Sequence, residues 1–316
     1  MMISSFSKRG PVVRAIDEHT ITDTVIDQMS STKNERLKEI MDAAVRHLHA
    51  FAREVSLGPD EWIEGIRFLT ATGHACTEYR QEFILLSDTL GLSSLVNSLH
   101  DRRTIEASTR SSLLGPFYRQ DSPAYELGQS IAENCPGEEI AVYGRVIGAD
   151  GHGVPHASIE VWQPDENGFY DLQKQDPSEM ELRGRFYGDE TGRYHFRTIK
   201  PRGYKIPMDG PVGDMVRAEG RHGWLPAHIH FLVGAPGYRE AITALYMADD
   251  EHIDSDTVFG ANESLITEPR ANDPESPFGS LPTIHFDFKL AAVRDPASGR
   301  VGADPSQLVR KAVEAK

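Results

Sequence analysis

The chain has 316 residues, 39% of them hydrophobic, enough to bury a core in one large or two modest domains. Lys and Arg total 33 against 48 Asp and Glu, and the resulting net charge of −15 repels phosphate backbones and anionic membrane surfaces, so no nucleic acid and no membrane insertion are expected. The two cysteines, Cys76 and Cys135, make neither a disulfide scaffold nor a cysteine zinc site; with no signal-peptide stretch and no apolar run of bilayer length, a cytoplasmic protein is expected.

From Thr32 to Val55 the apolar residues Leu37, Ile40, Met41, Ala44, Val45, Leu48 and Phe51 recur at three- and four-residue steps, which predicts an amphipathic helix. A second helix is predicted from Pro59 and Asp60 through Trp62, Ile63, Ile66 and Leu69 to a stop at Gly73. The stretch CTEYRQEFILLSDTLG predicts a third, closed by Gly91, and LSSLVNSLHD a shorter fourth. After about Gly115 the pattern changes to short β-branched and aromatic runs separated by Gly, Pro, Asn and Asp, among them EIAVYGRVIG, SIEVW, GRYHFRTI, HIHFLVG, ITALYM and IHFDFKL. The expected fold class is α+β, with a helical N-terminal domain over residues 1–112 and an antiparallel β-sandwich over 113–316. The polar tail after Leu290 is expected to pack loosely or fray.

The stretch GRHGWLPAHIHF, Gly220 to Phe231, carries two histidines inside a strand pattern. Successive strand side chains point to opposite faces, so Ala227, Ile229, Phe231 and Val233 make an apolar face while His228 and His230 share the other. The same spacing occurs in RHLHAF, but there a helical step of about 200° separates His47 from His49. On spacing alone the strand pair reads equally as two adjacent metal ligands or as the polar face of a half-exposed edge strand. No H-x-x-x-E follows the pair, which argues against a cupin iron site. Two tyrosines stand in irregular segments, Tyr170 after the turn PDENG and Tyr204 in KPRGYKIPMDGP.

With these residues in view, LLGPFYRQDSP, VWQPDENGFYDLQ, KPRGYKIPMDGP and GRHGWLPAHIHF, in that order, resemble the intradiol ring-cleaving dioxygenases, iron(III) enzymes that open catechols between the two hydroxyl-bearing carbons. RQEFILLSDTLG and HIDSDTVFG resemble the branch acting on hydroxyquinol, 1,2,4-trihydroxybenzene. The resemblance implies that Tyr170, Tyr204, His228 and His230 hold Fe(III), that Arg221 stands beside the substrate as a catalytic residue, and that Leu85, Asp88, Leu114, Gly115, Pro116 and Phe117 line the ring pocket. It implies an aromatic diol or triol and O2 as substrates, and a homodimer through the N-terminal helices with a bound lipid, although the helix pattern equally suits an intramolecular bundle. Leu225 stands where relatives often carry a basic residue, and Ala244 where they usually place a polar one.

The residue types suit that chemistry. A tyrosine hydroxyl has a reference pKa of about 10 and becomes an anionic ligand only beside a strongly charged cation. Hard phenolate oxygens favour the ferric ion, whose charge two tyrosinates and one hydroxide balance, and a neutral set suits a sheltered pocket. The resemblance further implies that Tyr204 leaves as a neutral phenol carrying one substrate proton, and that Asp88 accepts a hydrogen bond from a third ring hydroxyl. The rival readings are a catechol or chlorocatechol enzyme on the same scaffold and a non-catalytic β-sandwich binding module.

Overall fold

The computed structural model describes residues 16–77, 80–104, 108–174 and 179–293. The chain forms two compact units, Met1–Leu69 and Thr70–Lys316. In the first unit α1 (Ile21–Gln28) packs on α2 (Glu35–Glu54), and the Asn34 side chain caps α2 by accepting the Leu37 N–H at 3.0 Å. Arg53 binds back across the pair, its Nε donating to the Glu18 carbonyl at 2.9 Å. His49 meets the Thr22 hydroxyl at 3.0 Å while His47 is exposed, so the helical H-x-H pair diverges as its period requires. The eight-residue α1, barely two turns long, is too short to stand out in the sequence. As expected, α3 (Pro59–His74) opens on a proline.

The third predicted helix is shorter than its sequence suggests: α4 spans only Glu82–Thr89. Before it the chain turns, with the Thr77 N–H on the Arg80 carbonyl at 2.8 Å and the Arg80 N–H on the Thr77 hydroxyl at 3.1 Å. The turn brings Arg80 Nε to the buried Glu82 carboxylate at 2.7 Å. That carboxylate also accepts the Val212 N–H at 3.2 Å, in the first turn of α6 (Pro211–Ala218), a helix the sequence reading did not foresee. Between them lies α5 (Leu92–Thr104). By compactness α4 and α5 therefore fall with the β-region, upstream of the change of sequence pattern near residue 113.

The strands are β1 (Glu139–Gly148), β2 (Ser158–Trp162), β3 (Arg183–Tyr187), β4 (Arg193–Ile199), β5 (Tyr204–Lys205), β6 (Trp224–Leu225), β7 (His228–Gly234), β8 (Ala241–Met247), β9 (Ile266–Thr267), β10 (Thr283–His285) and β11 (Phe288–Leu290). One sheet runs β3-β2-β7-β8-β9; the other is centred on β1, which pairs with β4, β10 and β11. A single core joins their inner faces, including Ile140 and Val142 of β1, Phe196 of β4, Ile229 and Phe231 of β7 and Phe288 of β11. The sandwich is therefore as expected, but not uniformly antiparallel. Both β10 and β11 lie parallel to β1, and β9 to β8, because long connections let a late segment return in the same direction. The expected loose tail lies outside the described residues beyond Val293.

Candidate active site

Strand β7 is central, between β2 and β8, so the reading of His228 and His230 as a half-exposed edge fails: they are 1% and 4% exposed. The alternating residues Ala227, Ile229, Phe231 and Val233 enter the sandwich core, which forces both imidazoles to the opposite face. His228 Nδ1 lies 2.7 Å from the Pro226 carbonyl, which can only accept, so that nitrogen carries the proton and Nε2 presents a lone pair. Nε2 of His230 lies 3.1 Å from it. Trp162 stacks on the His230 ring at 4.9 Å and fixes its plane. Burial holds both imidazoles below their ordinary pKa, His230 well below, with His228 as the second cause there. The Leu113 backbone offsets part of this without a well-aligned bond to His230 Nδ1.

The two tyrosines arrive from separate segments. Tyr170 follows a turn in which the Asp165 carboxylate accepts the Asn167 and Phe169 N–H groups at 2.9 and 3.1 Å. In that turn Gly168 has φ +84°, and a Cβ there would stand 2.8 Å from Tyr204 Cβ, so a glycine lets the two segments meet. Tyr204 is fixed by pairing with Leu225 in the β5-β6 ladder. Its hydroxyl lies 3.4 Å from that of Tyr170, which in turn lies 3.5 Å from His228 Nε2. All four sequence-predicted ligands thus converge. Burial pushes the Tyr170 phenol well above its ordinary pKa, with Tyr204 adding to the effect, and burial likewise raises Tyr204.

Over this group opens a narrow cleft. Of the predicted ring-pocket residues, Leu85, Asp88, Gly115, Pro116 and Phe117 line it. Leu114 does not; it lines the adjoining cavity, and Leu113 takes the inward place. The sequence reading also missed Ile206, Pro207, Tyr246 and Val258 as wall residues. Tyr246 was findable, because it pairs with His228 in the β7-β8 ladder and so shares its face. The Tyr246 hydroxyl is 2.8 Å from Ser112 Oγ, whose own proton can go to the Gly260 carbonyl at 3.2 Å, so Tyr246 is engaged away from the histidines.

The arginine expected beside the ring stands elsewhere. Arg221 does not line the cleft: its guanidinium donates to the Thr89 carbonyl at 2.9 Å and the Thr257 carbonyl at 2.7 Å and lies over the Phe259 ring at 5.3 Å. These carbonyls belong to the neighbours of two wall residues, Asp88 and Val258, so Arg221 braces the wall from behind. The inward position is held by Leu225, and Ala244 lies buried opposite His230. Among the described lining residues the only acidic or basic side chain besides the histidines is Asp88, whose carboxyl is pushed up to about 6 by burial and, less, by the Asp256 carboxylate.

The donor set fits a hard cation. Ligand atoms bonded to one metal at about 2.0–2.2 Å sit roughly 3–3.5 Å apart, and the chain of contacts Tyr204–Tyr170–His228–His230 runs at 3.4, 3.5 and 3.1 Å. With its ring proton committed to Pro226, His228 Nε2 presents a lone pair 3.1 Å from His230 Nε2 and 3.5 Å from the Tyr170 hydroxyl, as a metal ligand would. Among the described residues no group of three or more His, Cys, Asp and Glu is placed to hold a metal, and the further donors beside these histidines are the Tyr170 and Tyr204 hydroxyls.

Two family profiles match the chain, one described as Dioxygenase over residues 113–292 and one as Catechol dioxygenase N terminus over residues 34–108. A Cupriavidus pinatubonensis protein named 6-chlorohydroxyquinol 1,2-dioxygenase is 48% identical over 79% of this chain and 90% of its own. A hydroxyquinol 1,2-dioxygenase of a Rhizobium species is 44% identical over 87% of this chain and 95% of its own. The crystal structure of a Pseudomonas putida hydroxyquinol 1,2-dioxygenase aligns with TM-score 0.79 and 42% identity, covering 87% of this chain and 99% of that one.

Proposed function

The chain belongs to the intradiol ring-cleavage dioxygenase family, and we propose that it opens hydroxyquinol with O2 between adjacent hydroxyl-bearing carbons to give 3-hydroxy-cis,cis-muconate, the enol form of maleylacetate. Both oxygen atoms end in the product. The observation that carries the reading is the convergence of Tyr170, Tyr204, His228 and His230 beside a cleft in which Asp88 is the one carboxylate among the described lining residues.

The four residues would hold Fe(III), which when bound supplies the charge that stabilises phenolate ligands and the redox centre for the reaction with O2. His228 and His230 offer neutral nitrogen donors without a proton to expel, since burial already disfavours their charged forms. Tyr204 lines the cleft whereas Tyr170 is fully buried, so with iron bound the Tyr204 phenolate would be the one to take a proton from a substrate hydroxyl at its Oη. Leu85, Phe117 and Leu225 exclude water and set the ring plane. Asp88 accepts a hydrogen bond from the third hydroxyl, which favours the triol over catechol. The relatives named for hydroxyquinol and its chloro derivative support this substrate class.

We place the protein in the cytoplasm, in keeping with two free cysteines; among the described residues no helix is long and apolar enough to cross a membrane. Residues 1–112 serve assembly and 113–316 catalysis, with Leu85 and Asp88 lent to the site by the former. The exposed apolar stripe of α2, including Leu37, Ile40, Leu48 and Phe51, suits a homodimer that could enclose a lipid. Sedimentation equilibrium and lipid extraction test those two points.

The deciding experiment is oxygen uptake by red-brown, iron-loaded protein with hydroxyquinol, its chloro derivative and catechol. A kcat/KM for hydroxyquinol well above that for catechol is expected. A higher value for catechol would replace the substrate, and a protein that stays colourless after iron loading would favour a binding module instead.

A further inference from the structure

Arg183, Trp162, His230 and Ala244 lie opposite one another in a row across β3, β2, β7 and β8. Directly paired residues share a sheet face, so a cation stands on the same face as the candidate ligand His230. Arg183 is 1% exposed. Its Nε donates to Asp171 Oδ2 at 2.6 Å, and its Nη2 donates both to the other oxygen of that carboxylate and to the Phe117 carbonyl at 3.1 Å.

Those two partners are not arbitrary. Asp171 directly follows Tyr170 in the chain, and the Phe117 ring stacks on Tyr170 with centroids 4.5 Å apart. One planar guanidinium therefore ties together the segment that carries a candidate ligand and the segment that walls the cleft. A two-point fork fixes angle as well as distance, which a lysine cannot do. Stability is a poor reason for such a pair, because removing both charges from water offsets most of their attraction. Positioning is a better one, since the Tyr170 oxygen must stay within reach of both Tyr204 and His228.

Building on the ligand reading above, we propose that Arg183 is a positioning residue: through Asp171 and the Phe117 carbonyl it fixes the Tyr170 phenol where it can bind the metal, without itself touching substrate.

Two variants test it. Arg183→Lys keeps the charge and loses the fork; the double variant Arg183→Met with Asp171→Leu removes both charges and leaves neither buried alone. Arg119→Ala is the control, because Arg119 reaches the same carboxylate at 3.3 Å from a less buried position. Circular dichroism reports the fold, the ferric tyrosinate band reports the tyrosine ligands, with Tyr204→Phe showing the band of Tyr170 alone, and iron transfer to a chelator reports how tightly the ion is held. A shifted or weakened band and at least tenfold faster iron loss are expected in both folded variants, with the control unchanged. A band and loss rate within twofold of wild type would overturn the proposal. So would failure of both variants to fold, which would make Arg183 a stability residue. If Arg183→Lys alone fails to fold, the double variant decides. A wild type with no ferric band removes the ligand reading and this proposal together, whereas a coloured wild type with unchanged variants removes the proposal alone.

Discussion

Gly168 and Tyr204 touch so closely that a Cβ on the glycine would stand 2.8 Å from the tyrosine's own Cβ, while the glycine holds φ at +84°. Both facts forbid a side chain. Gly168→Ala is expected to lose about 1–3 kcal/mol of stability and to part Tyr170 from Tyr204. Denaturant titration reads the first effect and the ferric band the second; an unchanged band would mean that the backbone absorbs the methyl elsewhere.

The ligand assignment makes two separable predictions. His228→Ala removes a nitrogen whose orientation the Pro226 carbonyl fixes, and the variant should not retain iron through gel filtration. Tyr204→Phe should still fold, change colour and lose roughly 10²–10⁴-fold in kcat, the range for a lost proton acceptor. Normal iron content and rate in both variants would refute the assignment.

Asp88 gives a pH signature. Its folded pKa of about 6 lies above the ordinary carboxylate value of about 3.9, so between those values the folded protein binds more protons than the unfolded chain. Its contribution to stability is thus fully present below about pH 4 and lost as pH rises through about 6. Asp88→Asn should abolish that loss, gaining up to about 3 kcal/mol above pH 6 relative to wild type and nothing below pH 4. Tm measured at both extremes checks it. The same variant should lower kcat/KM for hydroxyquinol more than for catechol.

For Arg221 the prediction is the reverse of a catalytic one. Its guanidinium donates to the Thr89 and Thr257 carbonyls as well as to Glu219, so Arg221→Met should cost about 1–3 kcal/mol of stability by leaving those carbonyls unpaired. At low temperature, where the wall stays folded, kcat/KM should change less than about threefold. A loss of a hundredfold or more without a change in Tm would return Arg221 to the substrate.

Local pattern made the histidine pair legible in the sequence as a candidate, whereas Tyr170 and Tyr204 stood out from the other tyrosines only through the family resemblance. Strand alternation separated His228 and His230 from the core residues beside them, and helical period dismissed His47 and His49. What pattern could not supply was long-range placement. That β7 is a central strand depends on its pairing with β2, and that Leu225 faces the cleft depends on the short β5-β6 ladder. The late start of α4 likewise follows from Glu82 meeting Val212, a contact between segments far apart in sequence. Leu114 and Leu113 differ by a single residue, and only the course of the backbone decides which enters the cleft.

The parallel pairing of β10 and β11 with β1 carries a consequence for how the protein is made. Residues 141–143 of β1 must wait for partners at 283–285, and residues 146–148 for partners at 288–290. During synthesis the ribosome therefore releases a strand edge long before its cover is translated, and although β4 can pair early, the other edge of β1 stays open until Leu290 is made. Truncation before Thr283 should yield an aggregating product, not a smaller enzyme, even though every residue proposed to hold iron would already be present.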